Sequence, residues 1–102
     1  MKKIFVAKED HRILAEIIQP LTCRVLVFGS RIKGTQQKFS DLDLCLKAIE
    51  PISLEALALF KEALSDSDLP FIVDVVDYYM VSEGFQKIID KEGVNFLDTI
   101  PA

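Results

Sequence analysis

Residues 41–47 read DLDLCLK, and this stretch constrains the fold more than any other. Leu42, Leu44 and Leu46 alternate with Asp43, Cys45 and Lys47. A period of two places the leucines on one face only if the chain is an extended strand. The strand opens on two carboxylates, Asp41 and Asp43, which project to one side while Leu42 packs inward. Carboxylates beside apolar strand residues are costly to desolvate unless something pairs with them. The remaining residues must therefore supply both a sheet for this strand and a reason for its charges.

The sheet is legible in two further apolar runs. Cys23 to Phe28 end abruptly in Gly29-Ser30, which suits a buried strand followed by a turn. Phe71 to Val76, rich in β-branched residues, read as a third strand. Helical spacing appears at Ile13, Leu14, Ile17 and Ile18, closed by Pro20. It recurs at Leu54, Leu57, Phe60 and Leu64 behind a Ser53 N-cap, and the cluster SDSDLP (65–70) ends that helix. Ser82 caps a last helix with Phe85, Ile88 and Ile89 on one face, and Gly93 stands where a C-terminal cap belongs. Residues 30–39 read as one helical turn and a loop, and the tail from Gly93 as a short edge strand or coil. The order helix, strand, strand, helix, strand, helix predicts an α/β (α+β) domain, a small mixed sheet with flanking helices.

At 102 residues the chain has room for one domain spanning residues 1–102. Such a chain buries only ~65% of its unfolded surface, which implies modest stability. The longest apolar runs are far too short to cross a bilayer. The N-terminus MKKIFVAKED lacks the apolar core of a signal peptide, so a cytoplasmic location is expected, with no membrane partner. Cys23 and Cys45 have no metal-ligand spacing and read as small hydrophobes in a reducing compartment. A net charge of −4 argues against a nucleic-acid partner, which requires a basic face to displace counterions. A small anion carried in with a metal ion remains compatible with it.

Three features bear on chemistry. Gly29-Ser30 directly after a strand can aim backbone N–H groups and a hydroxyl at phosphate oxygens, or can simply be a turn. GSRIKGT has the glycine spacing of a Walker-type loop, but Thr35 stands where its lysine should be, so that reading fails. Asp41 and Asp43 form either a solvated strand start or a pair that holds a cation such as magnesium. Asp74, between Val73 and Val75, is expensive in a central strand unless paired. A metal shared with Asp41 and Asp43 is the economical account if the third strand lies beside the second. Asp77 falls on the opposite face and reads as a solvated strand end, and Tyr78 and Tyr79 as packing at that end.

With Gly29-Ser30, Asp41-x-Asp43 and a later strand aspartate at 74, the chain resembles the minimal nucleotidyltransferases of the DNA polymerase β-like superfamily. GSRIKG, SDLDL and DLPFIVDVVD carry the resemblance across nearly the whole chain. It implies that Gly29 and Ser30 cradle the triphosphate of ATP, with Arg31 reaching a phosphate. It implies that Asp41, Asp43 and Asp74 are catalytic and ligate Mg2+, possibly two ions, and that Asp74 helps deprotonate the attacking hydroxyl. Minimal members often pair with a small all-helical HEPN-type protein, and some act as antitoxins that transfer AMP from ATP onto it. The resemblance thus implies a metal-dependent nucleotidyltransferase acting on a partner protein. The alternative is a non-catalytic antitoxin that neutralises its helical partner by binding.

Overall fold

The computed structural model describes all residues from Met1 to Ala102. The expected strands and helices form, and the chain termini add two more strands. In chain order they are β1 (Lys2–Ile4), α1 (Lys8–Ile18), β2 (Arg24–Phe28), α2 (Ser30–Lys33), β3 (Leu42–Lys47), α3 (Leu54–Ser65), β4 (Val73–Asp77), α4 (Glu83–Glu92), β5 (Val94–Asn95) and β6 (Thr99–Pro101). A 3-10 turn at Tyr78–Met80 follows β4 and another at Phe96–Asp98 follows β5.

The main sheet has the order β4-β3-β2-β5. β3 runs antiparallel to β2, with Phe28 opposite Asp43, and parallel to β4, with Asp43 opposite Asp74. The small mixed sheet is therefore as expected, and the third strand does lie beside the second. β1 and β6 form a separate parallel ribbon in which Lys2 faces Thr99. Three residues at the N-terminus carry no period long enough to mark a strand, so β1 escapes a sequence reading.

The period of two in β3 sorts residues between two apolar layers. Leu42, Leu44 and Leu46 join Val25, Val27 and Val75 against Leu14 and Ile18 of α1 and Phe60 and Leu64 of α3. On the other face Leu26, Phe28 and Cys45 meet Ile89 of α4, with Phe85, Val76, Tyr78 and Val81 packed around them. Burial pushes the Cys45 thiol up to about 11, as befits an inert packing residue. Ser53 and Ser82 cap α3 and α4 through their hydroxyls, accepting from Ala56 and Phe85 N–H. Gly93 caps α4 as expected, in an extended conformation at φ −68° with its N–H on the Ile89 carbonyl. The glycine also lets the chain pass close to α4, since a Cβ would stand 2.5 Å from the Ile89 carbonyl oxygen.

Two aspartates differ from expectation. β4 is an edge strand and Asp74 is exposed, so its carboxylate stays hydrated and needs no buried partner. Asp77, expected at a solvated end, is 3% exposed. It shares a face with Val73 and Val75, and its carboxylate accepts from Ile52 N–H (2.9 Å) and Tyr79 N–H (3.1 Å). It thus ties the β3–α3 connection to the end of β4. Replacing Asp77 by Ala leaves those donors unpaired and is expected to cost ~1–3 kcal/mol. Urea unfolding of Asp77→Ala measures this, with Asp77→Asn expected to lose less.

Candidate active site

The site is built where β2 ends and β3 and β4 begin. Gly29 adopts φ 82° and ψ −158°, a region that essentially only glycine enters. The turn brings the backbone onto Asp43: a Cβ at Gly29 would collide with Oδ2 of that carboxylate and lie 3.2 Å from its Cγ. Ser30 then opens the short helix α2, in which Ile32 and Lys33 N–H both return to the Gly29 carbonyl at 3.1 Å. The helix closes at Gly34, left-handed at φ 81°. Glycine is thus required at position 29 twice over, by the dihedral and by the approach to a carboxylate.

Asp43, half-buried at the start of β3, lies opposite Asp74 on β4. Asp41 is exposed just ahead of β3, two residues before Asp43. Alternation places Asp43, Asp74 and Cys45 on the α4 side of the sheet, as Leu42 and Val73 pack on the other side. Burial first, and then the charges of Asp74 and Asp41, raise the Asp43 carboxyl above its ordinary value of 3.8. None of the three aspartates takes part in an ion pair; the ion pairs of the structure are Arg12 with Glu9 and Glu16, Lys33 with Glu92, Lys47 with Asp90 and Lys87 with Glu83. The site is a concentration of uncompensated negative charge.

That donor set fits a hard divalent cation, which prefers carboxylate oxygens together with phosphate and water. The side chains do not form a finished cage, and no three His, Cys, Asp or Glu groups converge closely enough to hold an ion. Like-charged carboxylates hold one another apart in this way until a cation draws them together.

Arg31, expected at a phosphate, is placed differently. Its side chain is buried and donates to the carbonyls of Phe5, Lys38 and Ser40, and it stacks on the Phe71 ring. These bonds occupy four of its donor positions inside the protein. Lys33 pairs with Glu92 at 3.1 Å and Lys38 lies over the Phe39 ring. Tyr78 and Tyr79 stack edge-to-face at the far end of β4, where their hydroxyls donate to Asp90 and to the Ala48 carbonyl, so packing at the strand end is their role.

The chain that carries this turn and these carboxylates is similar to known proteins. The family model "Polymerase beta, Nucleotidyltransferase" matches residues 13–99. The chain belongs to the polymerase β nucleotidyltransferase family. It is 43% identical over 88 residues to a probable protein adenylyltransferase, MntA, of Haemophilus influenzae, covering 84% of this chain and 77% of that one. Among solved structures it resembles a toxin-antitoxin complex with AMP-PNP, at TM-score 0.69 and 22% identity over 84% of this chain and 71% of the other. It also resembles the toxin-antitoxin MntA-HepT, at TM-score 0.61 and 16% identity over 88% and 71%. These likenesses establish the polymerase β-like fold, and with the family match the chain is a nucleotidyltransferase.

The crowded charge and the Gly29 turn each make a stability prediction. In buffer without divalent ions, Asp43→Asn is expected to stabilise the protein by about 0.5–2 kcal/mol at neutral pH, as removal of a functional-site repulsion commonly does. Because folding raises the Asp43 pKa, the penalty is present above the raised value and vanishes below the ordinary 3.8. Thermal unfolding of both proteins across that range should show the advantage of the variant shrinking as pH falls. Gly29→Ala should act oppositely at every pH, destabilising by ~1–3 kcal/mol through its forbidden dihedral.

Proposed function

We propose that this nucleotidyltransferase transfers AMP from ATP to a hydroxyl of a partner protein, and that it serves as the antitoxin of a two-protein pair. The observation that carries the reading is the register of β3 and β4, which sets Asp74 beside Asp43 at the strand ends reached by the Gly29 turn. The name of the Haemophilus relative and the toxin-antitoxin structures support the acceptor and the pairing. The partner we expect is a small all-helical HEPN-type protein.

In this reading Ser30 and the first amides of α2, which have no intrahelical acceptor, receive the phosphates of ATP. Asp41, Asp43 and Asp74 hold one or two Mg2+ ions, and when bound these ions neutralise the charge that develops on the attacking and leaving oxygens. The acceptor oxygen forms a bond to the α-phosphorus as the bond to the bridging oxygen breaks and pyrophosphate leaves. The hydroxyl proton passes to Asp74, whose exposed position on an edge strand lets it deliver the proton to water. Asp41 and Asp43 stay ionised, as ligands of a divalent cation would have to be. The open face of β4 admits a bulky acceptor, as a protein substrate requires.

The test is incubation with labelled ATP, Mg2+ and the protein encoded beside this one. Label should pass to the partner, and Asp41→Asn with Asp43→Asn should reduce transfer by ~10²–10³-fold or more. Equal transfer by the double variant would overturn the reading. Asp74→Asn separates chemistry from occlusion in cells: loss of protection with an intact complex supports catalysis. Full protection by that variant would show that binding alone neutralises the partner.

A further inference from the structure

Arg31 is a buried cation with no carboxylate ion-pair partner. It is 5% exposed, and burial lowers its pKa while Asp10 and Asp41 act on it from a distance. Its charge is met by backbone dipoles. Nε and Nη2 both donate to the Ser40 carbonyl, at 3.0 and 2.8 Å. Nη2 also reaches the Lys38 carbonyl at 3.3 Å, and Nη1 the Phe5 carbonyl at 2.8 Å. The guanidinium lies over the Phe71 ring, 4.2 Å from its centroid.

The Ser40 carbonyl belongs to the peptide that leads into Asp41, so gripping it with two N–H groups fixes the plane from which the Asp41 side chain departs. On the far side of Asp41, Leu42 N–H donates to the Ile72 carbonyl at 2.9 Å. Asp41 is thereby bracketed although it lies outside any strand. Phe71, beneath the guanidinium, stands three residues before Asp74, and Arg31 itself follows Ser30 directly. One side chain therefore touches all three segments that carry the site. Residues 35–41 form no regular element; besides the Thr35 N–H bond to the Ser30 carbonyl they have one tight turn, in which Gln37 N–H donates to Ser40 Oγ and Ser40 N–H to the Gln37 carbonyl.

Resting on the nucleotidyltransferase reading of the three aspartates, we infer that Arg31 is a positioning residue: it holds Asp41, and the approach to Asp74, where they can share a divalent cation with Asp43. It is not a phosphate ligand. A lysine keeps the charge but loses the planar fork that grips two carbonyls at once. Second contacts of this kind typically govern metal affinity by 10–100-fold when removed.

The experiment compares wild type, Arg31→Lys and Phe71→Leu, measuring Mn2+ binding by electron paramagnetic resonance without nucleotide and ATP binding by calorimetry without divalent ions. Arg31→Lys should weaken Mn2+ binding by about 10-fold or more, and Phe71→Leu, which only loosens the same guanidinium, by ~2–5-fold. ATP binding should stay within about twofold of wild type in both, in line with a group that makes no phosphate contact. Unchanged Mn2+ affinity together with ATP affinity lowered ~10-fold in Arg31→Lys would overturn the inference and make Arg31 a phosphate ligand. If Arg31→Lys does not fold, the Phe71→Leu result decides, because that variant keeps the arginine and an apolar side chain beneath it. Wild type that binds Mn2+ yet transfers no AMP refutes the functional reading and leaves the positioning role to be judged by the Mn2+ values alone.

Discussion

The fold turns on an unfavourable contact. Parallel pairing of β3 and β4 puts Asp43 opposite Asp74, and like charges directly across a ladder destabilise it. The rest of the sheet is arranged so that this pair survives. Leu42 and Val75, next to the two aspartates, turn to the opposite face and join the larger apolar cluster with Leu44, Phe60 and Leu64. Gly29 comes so close to the Asp43 carboxylate from the β2 side that no side chain fits between them. The repulsion is thus confined to one edge of the sheet and sustained by burial on the other face.

The asymmetry of the two layers explains where the site opens. α1 and α3 together cover one face, whereas the other has α4, through Ile89 and Phe85, with Tyr78 and Val81 ahead of it. At the β2 end of the sheet the α4 side carries Phe28, Asp43 and Asp74 in a row, and the outermost of them is exposed. A helix laid over those carboxylates would have to desolvate them without a counter-charge, at a cost of several kcal/mol per ion. The thin layer is what keeps the carboxylates in contact with water and with whatever binds there.

Much of this was legible in the residues, and the misses share a cause. The period of two in β3, the two capping serines and the Gly-Ser turn are local signals, and local signals survived folding. Asp74 and Asp77 were misjudged because exposure in a sheet depends on strand order, which alternation cannot reveal. β4 proved to be an edge, so Asp74 is hydrated, while Asp77 was drawn inward by the N–H groups of Ile52 and Tyr79. Arg31 followed the same logic. Its partners at Phe5, Lys38, Ser40 and Phe71 are scattered along the chain, and nothing in GSRIKG announces that its arginine turns inward.

A raised Asp43 pKa has a further consequence for the proposed chemistry. The group must lose its proton before it can ligate a cation, so protons and divalent ions compete for the same oxygen. Neighbouring Asp74 and Asp41 favour both competitors, since the same negative field that raises the Asp43 pKa favours any cation near it. A divalent ion carries twice the charge and can touch several oxygens at once, so it gains more from neighbouring carboxylates than one proton does. The repulsion stored at the sheet end therefore biases the site toward a multivalent occupant. Release of that repulsion returns as stability when the occupant binds, by the mass-action linkage that couples ligand and fold.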